Sequence, residues 1–269
     1  MHVEYAQLPP PEDSADCIFI THNAVIVLDG ATAFVPIPIS GQAYADHLGH
    51  ALVKELTAHP DIDLSDAVAG AIRQTTHSLG LSRGASPSST VSIVRAAPSG
   101  YDVFVLGDSP VIWGNNQHSW TLCDDRLDQL RLPQQEEYRA QLRAGHGFDH
   151  QHRMRLRALQ TAQARRRNTE GGYWIAEADP LAAYNARVTT VPSADANWAI
   201  LTTDGASDVL KHRGRDRWQE IARLDGDQLT RLLAHLHQWE RNCDPAGKHL
   251  PRSKIHDDKT LAVILSPSA

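Results

Sequence analysis

Three aspartates stand where strongly apolar runs meet a turn. They are Asp29 in Val27-Leu28-Asp29-Gly30, Asp204 in Leu201-Thr202-Thr203-Asp204-Gly205, and Asp257 just ahead of the run Thr260–Leu265. A strand that carries a carboxylate at its tip holds it rigidly, and a following glycine lets the backbone approach a ligand closely. Carboxylates brought together repel one another unless a hard cation neutralises them. An all-oxygen donor set with water in the remaining positions suits Mg²⁺ or Mn²⁺ better than zinc. Taken singly, each Asp-Gly is above all a β-turn signal. The order of these segments along the chain carries more weight than any one of them.

Other reactive residue types give less. Cys17, Cys123 and Cys243 are far apart, odd in number and never in a Cys-x-x-Cys arrangement, so they read as reduced thiols of a cytoplasmic protein. His146, His150 and His152 cluster in Gly145–His152, but their spacing fits no helix face and no thiolate lies nearby. That stretch reads as an exposed loop rather than a zinc site. Gly171-Gly172-Tyr173-Trp174-Ile175 reads as a glycine turn opening an aromatic-rich strand, with a lip over the acidic residues as the alternative. No Gly-x-Gly-x-x-Gly follows a strand and no Gly-Lys-Ser/Thr loop exists, which excludes the common dinucleotide and phosphate-loop folds.

The elements that must position these residues are legible in outline. Cys17–Ile20 and Ala24–Leu28 form a hairpin around Thr21, His22 and Asn23. Helical spacing runs from Gly41 to His59, closed by Pro60, and again from Ser65, read as the N-cap, to Leu79 before Gly80. Ser89–Arg95, Tyr101–Gly107, Pro110–Trp113, Asn197–Thr202 and Thr260–Leu265 read as strands, with a helix starting near Ser207 and another over Asp227–Trp239. Between them, Leu130–Asn168 carries nine arginines from Arg131 to Arg167 with few acids to balance them. The segment 120–172 therefore reads as an Arg-rich helical insertion, either a solvated face or a basic flap that attracts an anionic partner. No internal repeat or long linker divides the chain, so residues 1–269 read as one domain.

Composition sets the outer limits. The chain has 269 residues, 41% hydrophobic and 22% charged, with a formal net charge of −6. These values exclude a disordered or fibrous chain and disfavour non-specific nucleic-acid binding. No apolar stretch approaches a membrane span, and the N-terminal segment has no secretory pattern, so the expected location is the cytoplasm.

In chain order stand Glu12-Asp13, Asp29-Gly30, Ser88-Ser89-Thr90, Gly107-Asp108-Ser109, Thr203-Asp204-Gly205 and Asp257-Asp258-Lys259-Thr260. That order resembles the metal-dependent protein phosphatases of the protein phosphatase 2C-like family. Its members run Glu-Asp, Asp-Gly, Gly-Ser-Thr, Gly-Asp-Ser, Thr-Asp-Gly and Asp-Asn-x-Thr. The resemblance extends from about Glu12 to Leu265. It implies an α+β fold, a four-layer α-β-β-α sandwich of two antiparallel sheets flanked by antiparallel helices. Helix pairs and meandering strands that alternate without a βαβ rhythm agree with this.

The resemblance also implies two bound Mg²⁺ or Mn²⁺ ions, and a weaker third one in some bacterial members. Asp29 would bridge the pair, with the Gly30 carbonyl on one ion. Asp204 and Asp257 would complete the other, Glu12 would act through a metal-bound water, and Asp108 with Asp204 would hold the third. The implied reaction is hydrolysis of a phosphomonoester, chiefly phosphoserine or phosphothreonine in a protein, through in-line attack by a metal-bridging hydroxide. Departures are plain. The family's phosphate-gripping arginine falls at Leu8, the histidine some members use as acid falls at Ala31, the arginine after Gly-Asp-Ser falls at Pro110, and the Asn of Asp-Asn is Asp258. Two alternatives stand beside this reading: a small phosphate ester as substrate, and a catalytically degenerate member that binds metal or phosphoprotein without turnover.

Overall fold

Short apolar runs fold into two five-stranded sheets in the computed structural model, which describes residues 1–265. One sheet has the order β2 (Asp16–Ile20), β3 (Ala24–Asp29), β4 (Val91–Ala97), β5 (Gly100–Leu106) and β8 (Arg187–Pro192). The other has the order β1 (His2–Leu8), β10 (Lys259–Leu265), β9 (Trp198–Thr202), β6 (Val111–Gly114) and β7 (Ser119–Leu122). Every pairing is antiparallel.

Alternation along each strand sorts side chains into layers. Val25 and Val27 of β3 join Val94, Val103 and Val105 against Val111, Leu201, Ala262 and Ile264 of the facing sheet. The intervening Ile26 and Leu28 point the other way, into a core shared with α1 (Gly41–Ala58) and α2 (Leu64–Ser78). On the far side, Ile112, Ile200, Leu261 and Val263 pack under α6 (Asp204–His212) and α8 (Gly226–Cys243), and the short α7 (Trp218–Ile221) adds Trp218 and Ile221. Each fully buried aliphatic side chain in these three cores contributes about 1.5–3 kcal/mol of transfer free energy. The result is the four-layer α-β-β-α arrangement of an α+β protein.

Between β7 and β8 the chain forms α3 (Arg126–Gln129), α4 (Pro133–Arg143) and α5 (His150–Ala164). Tyr138, Leu142, Leu156 and Leu159 give α4 and α5 a small core of their own. The arginines there divide. Arg139 pairs with Asp128 (3.0 Å), Arg155 with Glu137 (3.5 Å) and Arg167 with the buried Glu177 (3.5 Å), whereas Arg143, Arg153, Arg157, Arg165 and Arg166 are exposed.

Several local expectations differ from what the fold adopts. Asp63, not Ser65, caps α2, its carboxylate accepting from the Ser65 and Asp66 amides. His150 and His152 belong to the first turn of α5, and His152 is 3% exposed, stacked edge-on against Tyr138 and Phe148 with Nε2 3.1 Å from the Ser253 carbonyl. Only His146 and His150 remain exposed. Gly171–Ile175 opens no strand; Tyr173 forms one bridge to Arg167, and Ala176 another to Ser89. Gly171, Gly172 and Trp174 line an open cavity of about 990 Å³ together with Arg83, Arg126 and Arg187.

Candidate metal centre

The ends of strands from both sheets meet at one edge of the sandwich, and each delivers an acid. In the β2–β3 hairpin, Asp16 lies directly opposite Asp29. Antiparallel pairing with β4 brings Thr90 alongside: its hydroxyl accepts from the Asp29 amide (3.1 Å), and its own amide donates to the Asp29 carbonyl (3.0 Å). The Thr90 hydroxyl also meets Ser109 (2.7 Å), so Ser88-Ser89-Thr90 ties Asp29 to the Gly107-Asp108-Ser109 turn after β5. Gly107 makes that turn at φ +90°, a conformation that favours glycine.

The second sheet contributes the rest. Asp204 is the first residue of α6, immediately after β9 and Thr203. The Thr203 hydroxyl donates to Asp16 Oδ2 (2.8 Å) and accepts the Thr260 amide (3.1 Å), bolting the two sheets together beneath the acids. Asp258 accepts from the Ala15 amide (2.8 Å), so the acid found where the family has asparagine fastens the start of β2 to the segment before β10. A Cβ on Gly205 would lie 2.0 Å from the Asp258 carbonyl oxygen and 3.0 Å from Asp257 Cβ. Gly205→Ala is therefore expected to push the 257–258 segment away. The cost is about 1–3 kcal/mol of stability, read as a lower Tm, with weakened Mn²⁺ binding in calorimetry; an unchanged Tm would mean the loop yields freely.

Charge repulsion shows in the acids' titration. Burial first, then Asp16, Asp204, Asp257 and Asp108, hold the Asp29 carboxyl well above the usual carboxylate range. Burial and then Asp257, Asp108, Asp208 and Asp16 do the same to Asp204. Asp16, 1% exposed, is pushed up to about 7 by burial, with Asp257 and Asp258 adding to the rise and the Thr203 hydroxyl opposing it. Asp108 is pushed up to about 6, chiefly by burial, with Asp208, Asp124 and Asp128 adding to it.

One cation reaches the group. Lys254 Nζ lies 2.7 Å from Asp257 Oδ1. Burial alone would lower its pKa, but Asp257, Asp258 and Asp29 raise it instead. Among the described residues no lysine or arginine pairs with Asp16, Asp29, Asp108 or Asp204, and Asp16 Oδ1 is buried without a hydrogen-bond partner.

Asp29, Asp108, Asp204 and Asp257 thus share one acidic centre, with the backbone of Gly30 beside it, its amide on the Ala15 carbonyl (3.0 Å). Glu12, unlike these acids, is fully on the surface. It sits exposed on a 3₁₀ turn, Pro11–Asp13, whose backbone carbonyls face Gln42. Asp16, four residues on, occupies the inward position instead. The register that pairs Ile20 with Val25 is centred on His22-Asn23, and counting back from those two residues sets Asp16 opposite Asp29. Lys254 stands only three residues before Asp257, but outside a helix that spacing by itself announces no ion pair.

No family model matches the chain, and no curated protein matches it in sequence. Its fold has clear relatives among solved structures. It is similar to the PPM Ser-Thr phosphatase MsPP from Mycobacterium smegmatis in complex with cacodylate, at 18% identity and TM-score 0.56 over 98% of this chain and 97% of that one. The catalytic domain of serine threonine protein phosphatase PstP in complex with two manganese ions matches at 13% identity and TM-score 0.53, over 97% and 96% of the two chains. Serine/threonine phosphatase Stp1 from Staphylococcus aureus matches at 13% identity and TM-score 0.59, over 100% and 96%. At these identities the shared property is the fold, and it runs the length of the chain.

Proposed function

We propose that this chain is a metal-dependent phosphomonoester hydrolase of the protein phosphatase 2C-like kind, acting on phosphoserine or phosphothreonine in proteins. One observation carries the reading: half-buried carboxylates from strand ends of both sheets converge beside the buried Asp16, and among the described residues a single lysine is the only basic side chain paired with any of them. Burying several like charges costs too much to persist without a counter-ion. The donors are all oxygen, one of them the unpartnered Asp16 Oδ1, which fits Mg²⁺ or Mn²⁺ and not a soft metal. Asp29, Asp204 and Asp257 would hold the ions with the Gly30 carbonyl, Asp108 a third, and Asp16 takes the part first assigned to Glu12. When bound, such ions supply Lewis acidity that makes water nucleophilic near neutral pH and offsets charge on phosphoryl oxygens.

The chain's own residues do the positioning. The Thr203 hydroxyl fixes the Asp16 carboxylate, and the Thr90 hydroxyl fixes the Asp29 backbone through its amide. Lys254 supplies the positive charge that the family draws from arginine at the position of Leu8, and it grips the phosphate once Asp257 is engaged elsewhere. Lys254→Met is expected to raise KM for phosphorylated substrates by about tenfold or more, the worth of one charge-assisted hydrogen bond, with kcat much less affected. An unchanged KM at saturating Mn²⁺ removes Lys254 from substrate binding. The three cysteines, none in a disulfide, support a reducing cytoplasmic setting, and no helix among the described residues is long and apolar enough to cross a membrane.

The decisive test is hydrolysis of p-nitrophenyl phosphate. Activity is expected to appear with Mn²⁺ or Mg²⁺ and vanish with chelator; background rates across metals and pH would favour a binding module without turnover. The absence of the arginine expected at Leu8 favours a second reading, a small phosphate ester as substrate. A panel of phosphopeptides against sugar phosphates and nucleotides separates the two.

A further inference from the structure

Behind the strand that follows Asp257 lies a second group of metal-ligating side chains, different in chemistry from the oxygen centre. His237 and Glu240 are three residues apart on α8 and so share one face of that helix. His256, from the segment before β10, stacks on His237 with ring centroids 3.8 Å apart at 25°. One ligand atom from each of the three lies within 4.8 Å of the other two.

We infer that His237, Glu240 and His256 form a binding site for a borderline transition-metal ion of the zinc class, separate from the acidic centre.

The geometry is close to what such an ion needs. With zinc–nitrogen and zinc–oxygen bonds of about 2.0–2.1 Å, neighbouring ligand atoms of a tetrahedral site stand roughly 3.3 Å apart. His256 Nδ1 now shares a hydrogen bond with Glu240 Oε2 at 3.1 Å, a separation an ion replacing the shared proton would keep, and Oε1 of the same carboxylate is open as a donor. His237 is half-buried, which leaves its ring room to rotate inward. The carboxylate is prepared as well. Glu240 is 0% exposed; Lys259 Nζ holds its Oε2 at 2.8 Å, while its Oε1 has no hydrogen-bond partner and only Arg252 Nε near it, at 3.8 Å.

Outer donors of this kind orient metal ligands in protein sites. Arg252 does not compete for Oε1, because its Nε is committed to the Ile255 carbonyl (2.9 Å) and its Nη1 to Asp244 (2.8 Å). Glu240 and Asp244 balance the charges of Lys259 and Arg252, so an incoming cation meets no net positive charge from this frame. Two imidazoles and one carboxylate select zinc, cobalt or nickel over the hard ions that suit the aspartate centre. The fourth coordination position is left to water.

The test is zinc titration of the full chain by calorimetry with Mg²⁺ in large excess, so that the oxygen centre is saturated. Wild type is expected to take up one Zn²⁺, and His237→Ala to bind it at least about tenfold more weakly with an unchanged Tm in the absence of zinc. Equal affinity in the two proteins overturns the inference, as does no uptake by the wild type. Should His237→Ala fail to fold, zinc-edge X-ray absorption of the loaded wild type decides. Scattering from two imidazoles supports the site; an all-oxygen shell, or one imidazole, refutes it.

Discussion

Asp204→Asn should abolish turnover and leave the fold standing. The substitution keeps the shape of the side chain and removes one charge from the centre, where burial and four neighbouring aspartates already work against that charge. Losing a single preorganised electrostatic partner of a reaction costs about 10²–10³ in rate. A carboxylate that also helps to retain an ion costs at least the upper figure, so kcat/KM for p-nitrophenyl phosphate with Mn²⁺ is expected to fall by about 10³-fold or more. Stability should move the opposite way. In chelator the variant is expected to unfold at the same temperature as wild type or higher, because repulsion has been relieved and the α6 helix keeps its Thr203 start. Circular dichroism and a melting curve check the fold, and steady-state kinetics checks the loss. Wild-type rates would take Asp204 out of the reaction.

The second large effect is on stability against pH. Asp16, Asp29, Asp108 and Asp204 all hold their protons more tightly in the folded chain than in the unfolded one. Between the ordinary aspartate value near 4 and the raised values, the native state therefore binds more protons, and stability falls as pH rises through that window. For Asp16 the window runs from 3.8 to about 7, which amounts to on the order of 4 kcal/mol. For Asp108 it closes at about 6. In chelator, urea midpoints are expected to drop steadily from pH 4.5 to pH 7.5. With Mn²⁺ at about a hundred times its Kd, binding restores about 2.7 kcal/mol. The restoration grows with pH, because ion binding displaces protons from these carboxylates. A chelator-treated protein whose stability is flat or rising over this range would mean the acids are neutralised by partners within the chain.

What the sequence reveals and what it hides follow from locality. Strands with both faces buried announce themselves as apolar runs: β3, β4, β5, β9 and β10 all lie inside their sheets and were legible. The unexpected strands β1, β7 and β8 are sheet edges, half-buried in β1 and largely exposed in β7 and β8, mixed in composition, and they are strands because a neighbour supplies their hydrogen bonds. The same division holds at the site. Asp29, Asp108 and Asp204 follow strong strands and could be found as strand-tip acids. Asp16 was masked by the Glu12-Asp13 pair nearby, although that pair belongs to an exposed turn. The His237–Glu240–His256 group depends on how the chain before β10 folds back onto α8, which no periodicity encodes. The arginine-rich stretch shows composition without assignment: Arg167 is locked to a buried acid while Arg165 and Arg166 stay exposed.

The hairpin that sets Asp16 against Asp29 turns at Thr21–Asn23, five residues and about 17 Å of strand away from the acids. Side chains on a strand alternate between faces, so lengthening or shortening that turn by one residue would slide β2 by one step and swing Asp16 out to the opposite side. The bend is remote from the acids and held by the Thr21 hydroxyl, which accepts the Ala24 amide (2.9 Å), and it should be intolerant of insertions and deletions. Its length, more than its composition, is where the chain stores the alignment of its inner carboxylates.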